Sequence, residues 1–452
     1  MTVSVATGPT GIERIVAPDE LFFSTTDRRG VIRSGNSVFV RISHFSLEEL
    51  TGAAHNLVRH PDMPGGAYRL MWDRLLLGRP MGAFVQNLGK DGSHYWVFAT
   101  VTPLADGFLS VRMAPRSALL DPTKQLYLQV RAAERDAMER DGVDRRSAAA
   151  LGAHLIEEGL RSLGFASYDD FILEALPAEI ASRSRLVAAS YARPWMRGPI
   201  GEVLAGASAL DTQLEAQVER LDAYRLLCDQ LLGSAHRVLE VARRLDRSVS
   251  GAQRASAQVA DSAPVLVNVA NVMAQPMHIT VTALERLAPR LRQLRADVAA
   301  LRFRIALASL HNDMVAAFAA EVADGAAPPS ALAEVPLLCD AVHDGVVDMS
   351  QTARAVNGEL ADVAQLVTEA GERLDEFRKF LGQWRILVMR HRAGGALGDL
   401  LRPIDEEISA GHQGIQLLRG LGDQCRSSAV PMDAAALELQ VSRIRAAASA
   451  SV

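Results

Sequence analysis

Lysine is almost missing from this chain. It occurs only at positions 90, 124 and 379, and arginine supplies the rest of the 48 basic residues. Cysteine is equally scarce, with three in 452 residues, at 228, 339 and 425. They have no metal-ligand spacing and are too few and too scattered for a disulfide framework, which leads us to expect a reducing, cytoplasmic setting. No apolar run reaches the roughly eighteen residues that a membrane span needs. The most apolar stretch, residues 264–277, is short and is interrupted by Asn268, Asn271 and Gln275. Residues 1–20 lack a basic segment followed by an apolar core, so a secretory signal is not expected. There is no single-sign tail, and the net charge is only −5, which argues against a general nucleic-acid binder. The Gly-x-x-x-x-Gly-Lys-Ser/Thr phosphate loop, the kinase motif set and the Cys-x-x-Cys-His haem motif are all absent. With no nucleophile–base pair or metal constellation placed by a motif, an enzyme is not expected.

Aromatic residues are few and uneven. They make up 5% of the chain, and eleven of the 23 precede residue 120. The remainder is rich in Ala, Leu, Arg and Glu, so the composition divides a mixed α/β front from an all-helical back. In the front part, residues 21–26 and 31–32 flank the turn Asp27-Arg28-Arg29-Gly30 and read as strands. Residues 37–43 and 46–50 read as helical turns, the second with Ser46 and Glu49 in capping-box spacing. Asp62-Met63-Pro64 opens a helix that Gly78 can end, with Asp62 as its cap. Residues 83–88, 95–102 and 108–113 read as antiparallel strands, the first two joined through the hairpin signal Asp91-Gly92.

Asp121-Pro122 then starts helical pattern that persists to the end, with Asp121 as cap. Breaks are expected near 164–170, 194–201, 248–264, 323–336 and 394–403. Two stretches step by three and four: Leu284, Leu287, Leu291, Leu294, Val298, Leu301 and Ile305, and then Leu360, Val363, Val367, Ala370, Leu374, Phe377, Leu381 and Trp384. Each makes one apolar seam, as in an intramolecular bundle or an intermolecular coiled coil.

The densest polar cluster is His55-Asn56-Leu57-Val58-Arg59-His60-Pro61-Asp62-Met63-Pro64. It leads into a helix N-terminus, whose free N–H groups favour an anion, and Arg59 adds a fork of donors. The bland alternative is a structured loop in which His60 is an internally satisfied histidine. His55 and His60 are also the positions at which a non-covalent haem would find a ligand, a weaker expectation. His311-Asn312-Asp313 is a conceivable phosphoacceptor, though such a histidine more often lies on a solvated or packed face.

Ser24-Thr25-Thr26-Asp27, Asn36, the decapeptide from His55 to Pro64, Met71-Trp72, Asn87 and Lys90-Asp91-Gly92-Ser93-His94-Tyr95-Trp96-Val97 occur in an order and spacing that resemble the PAS domain of bacterial aerotaxis receptors. The resemblance covers about a quarter of the chain. It implies an α+β PAS domain, an antiparallel sheet with short helices, followed here by an all-α helical bundle or coiled-coil region. It implies non-covalent FAD and a report on redox, oxygen or energy state, with Arg59, His60, Asp62, Trp72 and Asn87 at the positions that matter for flavin binding and Asn36 and Asn56 in the matching motifs. Trp72 would pack against a ring system or simply fill core, Asn87 would read a polar edge, and Arg59 would hold phosphates or favour a negatively charged reduced flavin. Met81 departs from the family, which commonly has Trp there. A cysteinyl-flavin adduct is not expected, because the first cysteine is Cys228. The segment 305–321 is similar to the Ala-rich core of a chemoreceptor hairpin, but no hairpin-tip sequence is recognisable.

The expected organisation is a flexible arm at 1–20, a PAS sensor at 21–118, a helical connector at 119–200 and a helical signalling output at 201–452. A homodimer, an unidentified protein signalling partner and passage of the signal from the sheet to the connector helix are expected with it. The competing expectation is a cofactor-free PAS-helical scaffold that mediates protein–protein interaction or oligomerisation.

Overall fold

The structure, a computed structural model, describes residues 8–187, 189–398, 401–427 and 432–451. The chain divides into two units, Met1–Val218 with Ala300–Ser350 and Asp433–Val452, and Glu219–Ala299 with Gln351–Met432. The first contains a five-stranded sheet of β1 (Leu21–Thr26), β2 (Ile32–Gly35), β3 (Met81–Leu88), β4 (His94–Leu104) and β5 (Gly107–Met113). The spatial order is β2-β1-β5-β4-β3, and every neighbouring pair is antiparallel. Helices α1 (Ser37–Ser43), α2 (Leu47–Leu50) and α3 (Gly65–Leu76), with a 3-10 turn at His55–Val58, fill the crossing from β2 to β3. This is the PAS architecture that the sequence led us to expect.

Local chemistry explains the turns. The Asp27 carboxylate accepts from the N–H groups of Arg29 and Val31, closing the β1–β2 turn. At the β3–β4 hairpin Asp91 accepts from Ser93, and Gly92 has φ of 82°, a conformation costly for any residue with a Cβ. Ser46 and Glu49 form the expected reciprocal capping box of α2. Two expected caps are absent. Pro64 stands at the N-cap of α3 and Leu119 at that of α4 (Leu120–Arg140), neither with a side-chain cap, while Asp121 lies inside the first turn. An acidic side chain in a first turn is favoured by the helix dipole without being a cap.

β1 is buried along its whole length because both faces of the sheet are covered. On one face Phe22 stacks on Tyr95, at 5.7 Å, within a core that includes Phe39, Ile42 and Leu50. On the other, Phe23 meets Phe318 of helix α9 (Leu287–Ala323) at 5.3 Å, and Phe84 meets Phe171 of helix α6 (Tyr168–Val187) at 6.2 Å. Residues 1–7 of the expected arm lie outside the described residues. From Thr10 onward the arm is not loose: Thr10 donates to Gly92 O, Arg14 N to His94 O and His94 N to Ile12 O, and Val16 is buried. Unpaired N–H and C=O groups beside β4 recruit these residues as a short parallel bridge.

Helix α5 (Arg145–Ser162) is capped by Asp144 and packs with α4. Helix α7 (Gly198–Gln258) ends inside the expected break at 248–264, after running through the first half of it. Its buried Val249, Ala252 and Ala255 keep an apolar face, which outweighs the modest helix cost of Ser248, Ser250 and Gly251. Pro264 then opens α8 (Pro264–Glu285) at the position where its missing N–H costs nothing. The remaining helices are α10 (Val335–Arg390), α11 (Gly394–Leu397), α12 (Leu401–Ser427) and α13 (Ala434–Ser449). All fifteen residues of the two heptad seams are buried within the chain, as an intramolecular bundle requires. In the second unit Trp384 is fully buried and donates through Nε1 to Ser256 Oγ at 2.9 Å. Among the described residues no helix is long and apolar enough to cross a membrane.

Candidate functional site

The face of the sheet that meets α3 borders a cavity of about 340 Å³, at the lower end of the range for small-molecule sites. Its walls come from β1, β3, β4 and β5, from the loop after β2 and from α3. Tyr68, Met71, Trp72 and Leu75 bring one face of α3 to the cavity at helical spacing. Val85, Ala99, Val101 and Phe108 add apolar sheet surface, and Trp72 and Phe108 meet edge to face at 5.5 Å. The charged side chains in the lining are Arg29, Arg59 and Arg112, and no carboxylate stands among them. The cavity is therefore electropositive and better suited to an electron-rich or anionic guest than to a cation.

Four of the seven candidate residues, Asn56, Arg59, Trp72 and Asn87, come together here. Asn87 is only 4% exposed, yet its amide makes no side-chain hydrogen bond among the described residues. A buried amide offers two donors and one acceptor, and leaving them unmatched is costly. Arg59 forms a backbone bridge with Asn87, donates through Nη2 to Met63 O, and lies 4.1 Å over the Tyr68 ring.

The other three candidates are elsewhere. Asn36 caps α1: its Oδ1 accepts from Phe23 N and Phe39 N, and its Nδ2 donates to Leu21 O, so its hydrogen-bonding groups are used by the backbone. His60 is buried against His94, and its Nδ1 accepts from Asp62 N, which is the satisfied histidine of the bland reading. Asp62, expected as a helix cap, instead pairs with Arg135 of α4 at the surface. Met81 does not line the cavity; it is buried in a cluster with Leu75 and Ala83, against which Met71 and Trp72 pack.

Sequence reasoning missed a buried arginine in the cavity wall. Arg112 on β5 is 5% exposed, donates through Nη2 to Ser24 Oγ at 3.1 Å and to His55 Nε2 at 2.5 Å, and leaves Nη1 buried with no partner. Burial lowers its pKa to about 10, and burial together with the Arg112 charge lowers that of His55 to about 3. His55 is therefore a neutral acceptor at Nε2, stacked on Phe39 at 5.8 Å. Tyr68, another wall residue, is pushed up to about 12 by burial. The signal for Arg112 was available in strand alternation, since Phe108, Ser110 and Arg112 share one face of β5 and all three line the cavity. The expected phosphoacceptor reading of His311 meets a buried ring: it is 1% exposed, lies 3.5 Å from Thr102 Oγ1 of β4, and burial lowers its pKa to about 4.

A second missed residue sets the position of the α3 wall. Glu134 of α4 is buried, and its two carboxylate oxygens accept from Gly65 N and Gly66 N at 2.8 Å each. An anion from a neighbouring helix thus satisfies the free donors at the start of α3, where the helix dipole also favours it. The contact requires close backbones: a Cβ on Gly66 would lie 2.2 Å from the carbonyl carbon of Gly152 in α5.

No family model matches the chain. Over 122 residues it is 38% identical to the aerotaxis receptor of Escherichia coli (strain K12), a match that covers 26% of this chain and 24% of the receptor. The chain thus spans about a quarter of the length of that receptor, and over that quarter it is similar to it.

Proposed function

We propose that the chain is a redox-responsive signal-transduction protein whose N-terminal cavity holds FAD non-covalently. The observation that carries this reading is the cavity itself: apolar walls, three arginines with no carboxylate in the lining, a buried Arg112 Nη1 without a partner, and the Asn87 amide, which makes no side-chain hydrogen bond among the described residues. The similarity to a quarter of an aerotaxis receptor supports a sensory role. Bound flavin supplies reversible electron uptake with a change in charge or protonation on its ring.

The protein's part is recognition and response. Asn87 offers a donor and an acceptor to a polar ring edge, and Trp72, Val85 and Phe108 give flat apolar surface. Arg59 and Arg29 lie where an anionic tail can be held. Arg112, buried without a carboxylate partner among the described residues, favours whichever redox state carries more negative charge. A response needs an element whose packing differs between the two states. Helix α3 is suited to this, because one face lines the cavity while its N-terminus is held by Glu134 of α4 and packed on α5. The output is conformational, with no catalytic step assigned to the chain.

Equilibrium dialysis against FAD tests the site. The wild type is expected to retain one flavin per chain, and Asn87→Leu and Arg112→Met to lose affinity by about tenfold or more, the equivalent of one good hydrogen bond. Absence of FAD retention, or equal retention by both variants, overturns the assignment and favours a cofactor-free scaffold.

A further inference from the structure

A second cavity, of about 780 Å³, lies in the first unit, between the segment joining α6 to α7, the first turns of α7 and the middle of α9. It is separate from the sensor cavity and shares no lining residue with it. Nothing in the reading of the first cavity bears on it.

Its hydrogen-bonding capacity is lopsided. Most donors in and behind its wall are already engaged. Arg183 donates to Pro18 O, to the Asp313 carboxylate and to Tyr191 Oη, and Tyr191 Oη in turn donates to Asp19 O. Arg193 holds Asp324 with two nitrogens, at 2.8 and 2.6 Å, and two carbonyl oxygens with the third. Arg197, exposed at the rim, donates through Nη1 to Pro194 O and Met196 O. What is left over accepts. Asn312 is 2% exposed, and its Nδ2 donates to Ala207 O at 2.8 Å, which fixes the amide orientation. Its Oδ1 is buried and has no partner, and the residue is part of the cavity wall. Asp211, one wall away on α7, has no ion-pair or hydrogen-bond partner among the described residues, and Glu215 follows it one turn later. Burial, then the charges of Asp313 and Glu215, push the Asp211 carboxyl up to about 7, against the opposing charge of Arg183, which is already committed to Asp313.

We propose that this cavity binds a small organic cation, an alkylammonium or guanidinium group, held by Asn312 Oδ1 and the carboxylates of Asp211 and Glu215. An ammonium or guanidinium group brings several N–H donors and a positive charge, matching an orphan acceptor and two acids without an ion-pair partner among the described residues. The apolar side chains of Val187, Leu204 and Ala316 in the same wall suit the hydrocarbon part of such a molecule. A metal ion is a poorer guest: among the described residues no group of three His, Cys, Asp or Glu is placed to ligate one. Asn312 follows His311, whose ring faces β4, and the same helix puts Phe318 on Phe23 of β1. The bound cation therefore touches the helix that covers the sensor sheet, and it is placed to act as an effector.

Calorimetric titration of the full chain tests this, with agmatine and putrescine as probes and tetramethylammonium and magnesium chlorides as controls at matched ionic strength. Saturable binding of agmatine or putrescine, and of neither control, is expected. Asp211→Asn and Glu215→Gln should each weaken it about tenfold or more; both are near-isosteric, and a thermal melt of each variant confirms folding. Three results overturn the proposal: no saturation by either probe at millimolar concentration, binding unchanged in both variants, or equal binding of tetramethylammonium or magnesium.

Discussion

Replacing Glu134 by Gln leaves the side-chain shape nearly intact and removes the charge that holds the start of α3. In the native protein the N–H groups of Gly65 and Gly66 each have a carboxylate oxygen at 2.8 Å. In the variant they compete for one carbonyl oxygen, and the new NH₂ group faces a donor. A hydrogen bond to a charged acceptor contributes about 1.5–3 kcal/mol, and a charge at a helix N-terminus about 0.3–2 kcal/mol. One bond is lost and the other becomes neutral, so the net cost is about 2–3 kcal/mol. Arg131 retains its bond to Pro61 O and is not stranded. Urea or thermal unfolding reads the change directly, with an expected fall of about 5–10 °C in Tm for a unit of this size. Glu139→Gln, at an exposed position on the same helix, is the control and should stay within about 0.5 kcal/mol. If Glu134→Gln also stays within that margin, the carboxylate does not hold α3 and the proposed route from cavity to α4 fails.

Gly66→Ala should cost about 3 kcal/mol, because the atoms its Cβ meets are backbone of Gly152 and Ala153, which cannot rotate away; differential scanning calorimetry checks this. Asp211→Asn should stabilise the protein above pH 7 by about 1–2 kcal/mol, after allowance for its partial exposure. Burial beside Asp313 raises the folded pKa of Asp211 to about 7, so the stability it contributes is full below its unfolded pKa of about 3.9 and is lost as pH rises through 7. The gain from Asn should therefore vanish in melts below pH 4, and an equal gain at all pH values would contradict the reasoning. Ser256→Ala strands the buried Nε1–H of Trp384 and should lower the urea-unfolding free energy by about 1–3 kcal/mol.

The fold was legible where structure is set locally. Asp27 and Asp91 announce their turns through bonds to N–H groups two to four residues on, and Ser46 and Glu49 announce a helix start. The seams at 284–305 and 360–384 announce burial through their period. The site was legible in part, because the loop from His55 to Arg59 and the face of α3 bearing Trp72 lie close together in sequence. Alternation along β5 puts Arg112 on one face with Phe108 and Ser110, but that this face is buried depends on β5 lying at the centre of the sheet, a fact of strand order that no local pattern carries. Glu134 and Asn312 look like ordinary polar residues on long helices. Their partners, Gly65 and Ala207, are 69 and 105 residues away. Asp62 stands two residues before the Pro64 N-cap, and the first N–H groups of α3 go to Glu134 of α4, so the Asp62 carboxylate pairs with Arg135 instead.

A flavin held in the N-terminal cavity and read by the chain as a redox signal would colour the protein. An absorbance spectrum of the freshly purified full chain, followed by reduction with dithionite in the same cuvette, tests this most directly. The account predicts two flavin bands in the visible and near ultraviolet that bleach on reduction and return in air, and that are absent from Asn87→Leu. A spectrum with no chromophore after incubation with FAD, or a Soret band in its place, contradicts it.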